Sequence, residues 1–447
     1  MMKWSSVREW AKKERVILMI CLAAFLLTIV YSFGYHIQPI VDAKAYDKMA
    51  VNIAEGRGFR LVLDVPIDQD DVITYQGPLF QYFLAGIYKT VGHHIPAVWI
   101  MHALLRALTV YLIYATCVRL FGKEEKKIGW IAAGFIAFYP DLIEMSAMVM
   151  TETLFIFFTA LVLYFFSRVY QKATYADVAA FAATLGFATL TRSTILAFWP
   201  FFIFLLFRKK AWPHMVLFFI VLAAVLTPWT VRNYKIYNTF LPTMANFGYN
   251  LIVGNRVGHD GEGGAPPELP QLTKDLGVIG ANVYGVNYFK TFLREHPGEY
   301  VRLVSLRTMK YFSPIRPLGF WFYQTGWKQL VFVLSSSLMA FLIFVAGWAG
   351  LFLAWKKKNA ALGYLFCFAL VTAGPVIAIL VETRYRIPIY PFMAIFGGYS
   401  IANWLKDRKA VQPYFYGALA LVLSIGLIDL SFEYQKVLRK INGIFGR

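Results

Sequence analysis

The 447 residues of this chain are 59% hydrophobic and 18% aromatic, with a formal net charge of +19. This composition excludes a soluble globular protein and is typical of a polytopic membrane protein. The basic residues lie largely in short loops between apolar segments, so the positive charge does not indicate nucleic-acid binding.

Apolar segments recur along the whole chain. A bilayer core about 30 Å thick needs roughly 20 apolar residues per helix, so we predict an all-α polytopic protein with about eleven transmembrane helices. The predicted spans are residues 16–33, 98–120, 127–142, 148–167, 176–192, 195–207, 212–229, 328–354, 361–381, 387–404 and 412–430.

Clusters of Lys and Arg alternate with these spans. Short cytoplasmic loops carry an excess of Lys and Arg, so the alternation predicts a cytoplasmic amino terminus and an extracytoplasmic carboxyl terminus in a plasma-membrane protein. The first span lacks a small-residue cleavage signal, and we interpret it as retained. The clusters contain Lys12, Lys13, Arg15, Lys123, Lys126, Lys127, Arg168, Lys172, Arg208, Lys209, Lys210, Lys356, Lys357, Lys358, Lys406, Arg408 and Lys409.

Two long loops fall on the extracytoplasmic side of a single membrane-embedded domain, residues 1–447. The first loop, 34–95, is predicted to contain a short helix over 43–55 and an interfacial helix over 79–89. The second loop, 230–327, contains many turn residues and an amphipathic helix that begins near Pro297. Positive charge on that helix, from Arg302, Arg307 and Lys310, predicts that it lies on the membrane surface.

Acidic residues distinguish the first loop. Asp42 is the first charged residue after the first span, and it is a favourable residue type at a helix N-cap. It could act as a base at the membrane rim or only cap the helix. Farther along, the cluster of Asp64, Asp68, Asp70 and Asp71 lacks the spacing of a calcium loop, so we interpret it as solvated.

Other ionisable residues lie near the outer ends of the predicted spans, where they could converge on one polar cavity. Ionisable groups in a membrane are costly and usually functional. Arg106 lies inside the second span, and could snorkel, pair with an acid or reach a lipid phosphate. The rim residues are Asp141, Glu144, Glu152, Arg192, Arg232, Glu382, Arg384 and Arg386.

Several fragments in chain order carry a family resemblance. They include VDAKAYDKMAVNIAEGRGF, YPDLIEMSAMVMTETLF, LTRSTILAFWP, TPWTVRNY and ETRYRIPIYPFMAI. With these fragments the chain resembles the C-type glycosyltransferase superfamily. It looks like a bacterial or archaeal relative of the protein O-mannosyltransferases and aminoarabinose transferases (glycosyltransferase family 39-like). The resemblance covers nearly the whole chain and implies that family's architecture.

The resemblance implies transfer of a sugar from a polyprenyl-phosphate donor to a lipid, glycan or protein acceptor at the outer face. Asp42 matches the family's essential first-loop acid, with Asp47 and Glu152 as supporting acids. Fixed cations would stabilise the departing phosphate, and the candidates are Arg192, Arg232, Arg384 and Arg386. The donor pocket would include Tyr385, Glu382 and Asn255.

No cofactor and no metal site are predicted, and a requirement for a divalent cation stays open. A single displacement would invert the anomeric centre. The arginines could instead anchor helix ends at lipid head groups, and Glu152 could be a buried partner of one of them. A lipid or sugar transporter (a flippase) and an outer-face polymer ligase are the alternative functions.

Overall fold

A computed structural model describes residues 14–70, 72, 77–316 and 324–444. Lys12, Lys13 and Asp71 lie outside these residues. The described part of the chain is all-helical, without a strand. Its first ten α-helices are α1 Arg15–Tyr35, α2 Asp42–Ala54, α3 Leu79–Val91, α4 Ile95–Phe121, α5 Lys126–Phe138, α6 Pro140–Ala147, α7 Thr151–Gln171, α8 Tyr175–Thr191, α9 Trp199–Arg208 and α10 Trp212–Tyr237.

The described chain continues with seven α-helices, of which the first three belong to the second loop. Among the described residues, the 3₁₀ helices Lys123–Glu125, Ser193–Phe198 and Thr383–Ile389 join α-helices along the chain. The remaining α-helices are α11 Phe247–Gly254, α12 Leu269–Glu295, α13 Pro297–Phe312, α14 Gly326–Lys356, α15 Ala360–Ile379, α16 Tyr390–Lys406 and α17 Arg408–Ile444.

Seven helices in the described residues are long and apolar enough to span a membrane, or eight if the bent pair α5 and α6 forms one span. The seven are α1, α4, α7, α10, α14, α15 and the part of α17 at Arg408–Phe432. The predicted spans at 176–192 and 195–207 correspond to shorter apolar helices. The all-α polytopic fold is therefore confirmed, whereas the count of eleven spans is not.

Helix α16 forms the centre of the bundle. Its side chains from Tyr390 to Ser400 are all buried, because this segment is apolar around its whole circumference. It packs along α14 and α5, and α4 packs against α1, α5 and α7. The wall of the bundle continues from α7 through α8 to α10.

The break between α5 and α6 explains the membrane position of Arg106. Pro140 begins α6 and has no N–H group, so it cannot donate to the carbonyl of Ile136. Arg106 donates to that carbonyl at 3.1 Å and also to the carbonyl of Ala137. It therefore satisfies backbone groups inside the bundle, which differs from all three roles considered from the sequence.

The amphipathic helix of the second loop, α13, packs on the protein body. Arg307 and Lys310, predicted to lie on its charged surface, are only 0% and 4% exposed. Arg307 donates to the carbonyl of Ala378 at 2.9 Å, and Lys310 contacts Glu262 at 2.7 Å. The prediction of a surface-lying helix is corrected here, because these two cations are buried against acceptors of the protein body.

Candidate functional site

A cavity of ≈ 990 Å³ lies between the two long loops and the helix ends beneath them. The first loop contributes one side, and α11 with the beginning of α12 contributes the other. The lining residues are Asp42, Tyr46, Val62, Val65, Asp68, Gln69, Glu152, Arg192, Asn246, Tyr249, Asn250, Pro270, Thr273, Lys274, Gly277, Val278, Arg384 and Tyr385.

Asp42 is the first residue of α2, and the residue before it is conformationally unusual. Val41 has φ 48° and ψ −120°, a left-handed region that a β-branched residue rarely adopts. The expected N-cap role of Asp42 is corrected, since Val41 holds that position and no side chain caps the helix. Strained backbone of this kind clusters at functional sites, which directs attention to Asp42.

Arg384 connects two carboxylates at the cavity. Its Nη2 atom lies 2.8 Å from Asp42 Oδ2, and its Nε atom lies 3.4 Å from Glu382 Oε2. Burial raises the pKa of the Glu382 carboxyl above its usual value, and the neighbouring Arg384 offsets only part of this rise. The guanidinium thus joins α2 to the 3₁₀ helix Thr383–Ile389.

A second ion pair joins Glu152 and Arg192. Arg192 Nη1 donates to Glu152 Oε1 at 2.7 Å, and the Glu152 side chain is fully buried. Glu152 lies in the first turn of α7, where the helix dipole favours negative charge. Arg192 follows α8, which the first loop approaches closely because Gly77 has no side chain to meet the Leu190 carbonyl.

Tyr385 lies against both arginines. The guanidinium carbon of Arg192 is 5.4 Å from the centre of the Tyr385 ring, and that of Arg384 is 5.2 Å from it. Burial raises the pKa of the Tyr385 hydroxyl, and the nearby Arg384 opposes that shift. The side chains therefore form a continuous row in the order Glu152, Arg192, Tyr385, Arg384 and Asp42.

A smaller cavity of ≈ 210 Å³ adjoins this arrangement. It shares Arg192, Asn246, Asn250 and Tyr385 with the large cavity, and much of its remaining wall is apolar. The other lining residues are Ser193, Thr194, Thr243, Met244, Phe247, Pro375, Val376, Ile379 and Leu380. Arg192 and Tyr385 therefore lie where the two cavities meet.

Two of the predicted phosphate-binding arginines lie elsewhere. Arg232 contacts the Trp229 ring at 4.8 Å and donates to the Phe59 carbonyl at 3.3 Å. Arg386 is 1% exposed and donates to the Ser313 carbonyl at 2.6 Å. Neither residue lines either cavity, so the expectation that all four arginines converge is corrected.

Two further predicted site residues also point away from the large cavity. Asp47 accepts from the Tyr88 hydroxyl at 2.5 Å and lies 2.9 Å from His93 Nε2, which ties α2 to α3. Asn255 is fully buried and accepts from Arg307 at 3.0 Å. Both side chains are satisfied by the protein's own groups.

Asp70 is not part of a solvated acidic cluster. It is fully buried and accepts from the backbone N–H groups of Leu61 at 2.8 Å and Val62 at 3.2 Å. The Arg60 guanidinium lies 3.9 Å away. The carboxylate therefore fastens the first loop, which corrects the prediction for this member, whereas Asp68 lines the cavity.

We expect Asp70→Ala to loosen the first loop. Leaving the N–H groups of Leu61 and Val62 without their acceptor should cost about 1–3 kcal/mol. Limited proteolysis should then cut the loop faster than in wild type. Asp64→Ala is the matched control, since Asp64 is exposed; equal cleavage of the two variants would contradict the role given to Asp70.

The sequence analysis assigned the second loop's part in the donor pocket to Asn255 and missed the residues of that loop that line the cavity. Asn246, Tyr249 and Asn250 come from the start of α11, and Thr273 and Lys274 come from α12. Gly248 and Gly285 let these two helices cross closely, because a Cβ on either would overlap the other's backbone region. The run NFGYN, with an asparagine on each side of a glycine, was the available signal.

Within the described residues, no group of three or more His, Cys, Asp or Glu side chains is placed to hold a metal ion. Glu382 and Asp42 share a cation between them, which is the Arg384 guanidinium.

Comparison with known proteins agrees with this architecture. The family model described as dolichyl-phosphate-mannose-protein mannosyltransferase matches residues 75–230. No curated protein sequence matches the chain.

Solved structures share the fold. ArnT from Cupriavidus metallidurans bound to undecaprenyl phosphate is similar with a TM-score of 0.50 and 14% identity, over 92% of this chain and 64% of that one. The oligosaccharyltransferase of Archaeoglobus fulgidus in its apo form gives 0.52 and 16%, over 94% and 55%. The chain thus spans less than two thirds of these proteins' length. The predicted resemblance to the C-type glycosyltransferase superfamily is confirmed.

Proposed function

We propose that this chain, a multi-pass membrane protein with the fold of the C-type glycosyltransferase superfamily, transfers a hexose or pentose from a polyprenyl-phosphate donor to an acceptor at the extracytoplasmic face. The observation that carries the proposal is the row of Glu152, Arg192, Tyr385, Arg384 and Asp42 along one cavity wall. The row offers cations for a phosphate and a carboxylate for an acceptor within one enclosure.

The two cavities suit the two parts of such a donor. Ligand pockets combine apolar walls with a few placed polar groups. In the proposal, the isoprenoid part next to the phosphate lies in the smaller cavity, near Phe247, Pro375 and Val376. The phosphate lies between Arg192 and Arg384, and the sugar faces the amides of Asn246 and Asn250.

The proposed reaction is a single displacement at the anomeric carbon. Asp42 accepts the proton from the acceptor hydroxyl or amine as that atom forms its bond to the anomeric carbon. The bond from the anomeric carbon to the phosphate oxygen breaks on the opposite face, and its electron pair stays on the phosphate. Arg192 and Arg384 stabilise the charge that develops there, and the configuration inverts.

Orientation and extent belong to the same proposal. The amino terminus is cytoplasmic, the carboxyl terminus is extracytoplasmic, and residues 1–447 work as one membrane-embedded unit in which the first and second loops enclose the site. The alternation of basic loops supports this orientation. Contacts between Glu14 and Lys126 and between Glu125 and Lys406 support it further, since they gather these loops at the end of the bundle away from Asp42.

Two other functions compete with this proposal. A flippase would be expected to place its ionisable groups near the membrane midplane, whereas the acid and cation pairs here lie at the ends of α7, α8 and α15. An outer-face polymer ligase shares the arginines and the long loop, and differs in needing no acid at Asp42. The effect of changing Asp42 therefore separates the two enzyme classes.

Binding of the carrier tests the proposal before the sugar is identified. Purified protein in nanodiscs should bind undecaprenyl phosphate or dolichyl phosphate more tightly than the corresponding alcohol. Arg192→Met and Arg384→Met should each weaken binding of the phosphate by about tenfold to a hundredfold, since hydrogen bonds to charged groups contribute roughly 1.5–3 kcal/mol. Native mass spectrometry or tryptophan fluorescence measures the affinity.

The control for this experiment is Lys290→Met, an exposed cation on α12 that lines neither cavity. It should bind the phosphate as wild type does. Equal affinity of the wild-type protein for polyprenyl phosphate and polyprenol would refute the proposed donor class. Transport of the intact lipid across sealed vesicles, without sugar transfer, would favour the flippase.

A further inference from the structure

The ring of Tyr385 has two cationic neighbours and lies at the point where the two cavities meet. The guanidinium groups of Arg192 and Arg384 both lie within about 6 Å of its centre, the range of a cation–π contact. Each arginine also holds a carboxylate, Glu152 or Asp42. The four charged residues come from separate parts of the chain, and the Tyr385 ring contacts both cations.

The Tyr385 ring offsets the repulsion between the two guanidinium groups. Two guanidinium groups beside one ring repel each other, and a phosphate that binds both competes with their carboxylates for N–H donors. The ring attracts a cation through its π electrons, and this attraction does not require a hydrogen bond from a guanidinium N–H group. It can therefore hold Arg192 and Arg384 in place while their donors turn to a phosphate.

We propose that Tyr385 is a positioning residue whose aromatic ring holds Arg192 and Arg384 at the spacing at which one phosphate can bridge them. The inference rests on the proposed function, which supplies the phosphate. Tyr385 takes no part in proton transfer, so its hydroxyl is dispensable. The ring itself is required, and so is its electron-rich character.

The shape of the residue also contributes to packing, and the test must separate that contribution. Tyr385 packs against the small apolar cluster formed by Ile252, Val253, Leu269 and Leu380. Tyr288 packs against the same cluster and lines neither cavity. Tyr288→Leu therefore reports the loss of packing at this cluster, together with the loss of the Tyr288 hydrogen bond to the Asn255 carbonyl at 3.1 Å, away from both cavities.

The experiment compares Tyr385→Phe, Tyr385→Leu and Tyr288→Leu for affinity toward undecaprenyl phosphate and dolichyl phosphate. Tyr385→Phe should bind as wild type does, and Tyr385→Leu should bind on the order of tenfold more weakly. Tyr288→Leu should leave affinity unchanged even if the melting temperature falls. In a transfer assay, Tyr385→Leu should raise the donor KM more than it lowers kcat.

The sharpest comparison is between two phenylalanine rings of similar shape that differ in electron density. This comparison remains usable if Tyr385→Leu does not fold. Trifluorinated phenylalanine at position 385 withdraws electrons from the ring face and keeps the packing. It should bind the phosphate several-fold more weakly than Tyr385→Phe. Equal binding by the fluorinated and plain phenylalanine variants, with wild type binding normally, would overturn the inference. Loss of phosphate preference in wild type would instead overturn the proposed function itself.

Discussion

Asp42→Asn should lower sugar transfer by about 10²–10⁴, the contribution typical of a positioned general base. The amide keeps the size of the side chain but cannot take the acceptor proton. Insertion into the membrane should persist, because Asp42 is partly exposed and caps no helix. Transfer is measured with radiolabelled or fluorescent lipid-linked sugar in membranes that contain equal amounts of each variant.

Two other acids in the first loop serve as controls for Asp42. Asp64 is exposed, and Asp47 is bonded to Tyr88 and His93 outside the cavity lining. Asp64→Asn should transfer sugar as wild type does, and Asp47→Asn should retain most activity. An active Asp42→Asn enzyme beside an inactive Asp47→Asn enzyme would move the base to Asp47.

Arg386→Ala should destabilise the protein by about 3–5 kcal/mol, the usual cost of removing one partner of a buried pair. Arg386 lies 4.0 Å from the fully buried Asp141, which would lose its cation. The carbonyls of Ser313 and Arg316 would lose a donor as well. The unfolding temperature in detergent is the measurement. We expect it to fall, together with the yield of folded protein.

Arg384 provides the matched comparison two residues away. Arg384→Ala should weaken binding of polyprenyl phosphate more than it affects the unfolding temperature, since Arg384 and its partner Asp42 both line the cavity. Arg386→Ala should show the opposite pattern. If Arg386→Ala unfolded at the wild-type temperature and lost phosphate affinity, its role as a structural cation would be wrong.

The difference between these two arginines shows what sequence reasoning could and could not predict. Both follow the ninth predicted span, and both looked equally available to a phosphate. They belong to a 3₁₀ helix, in which residues turn by about 120° each, so positions two apart point in different directions. Only the conformation of Thr383–Ile389 decides that Arg384 reaches Asp42 while Arg386 enters the core.

Local patterns sufficed where a feature depends on neighbouring residues. The apolar runs predicted the helices, and the first charge after α1 led to Asp42. Long-range packing decides the rest. The role of Arg106 depends on Pro140 in another helix, and the cavity wall from α11 and α12 depends on a close crossing at Gly248. No pattern local to these residues contains that information.

A structure of the protein in nanodiscs with undecaprenyl phosphate, determined by electron cryomicroscopy, tests the central claim most directly. The account predicts the phosphate between Arg192 and Arg384 beside the Tyr385 ring, the first isoprene units against Phe247 and Val376, and Asp42 facing the large cavity. A phosphate bound at Arg232 or Arg386, with the cavity at Asp42 free of lipid, would contradict it.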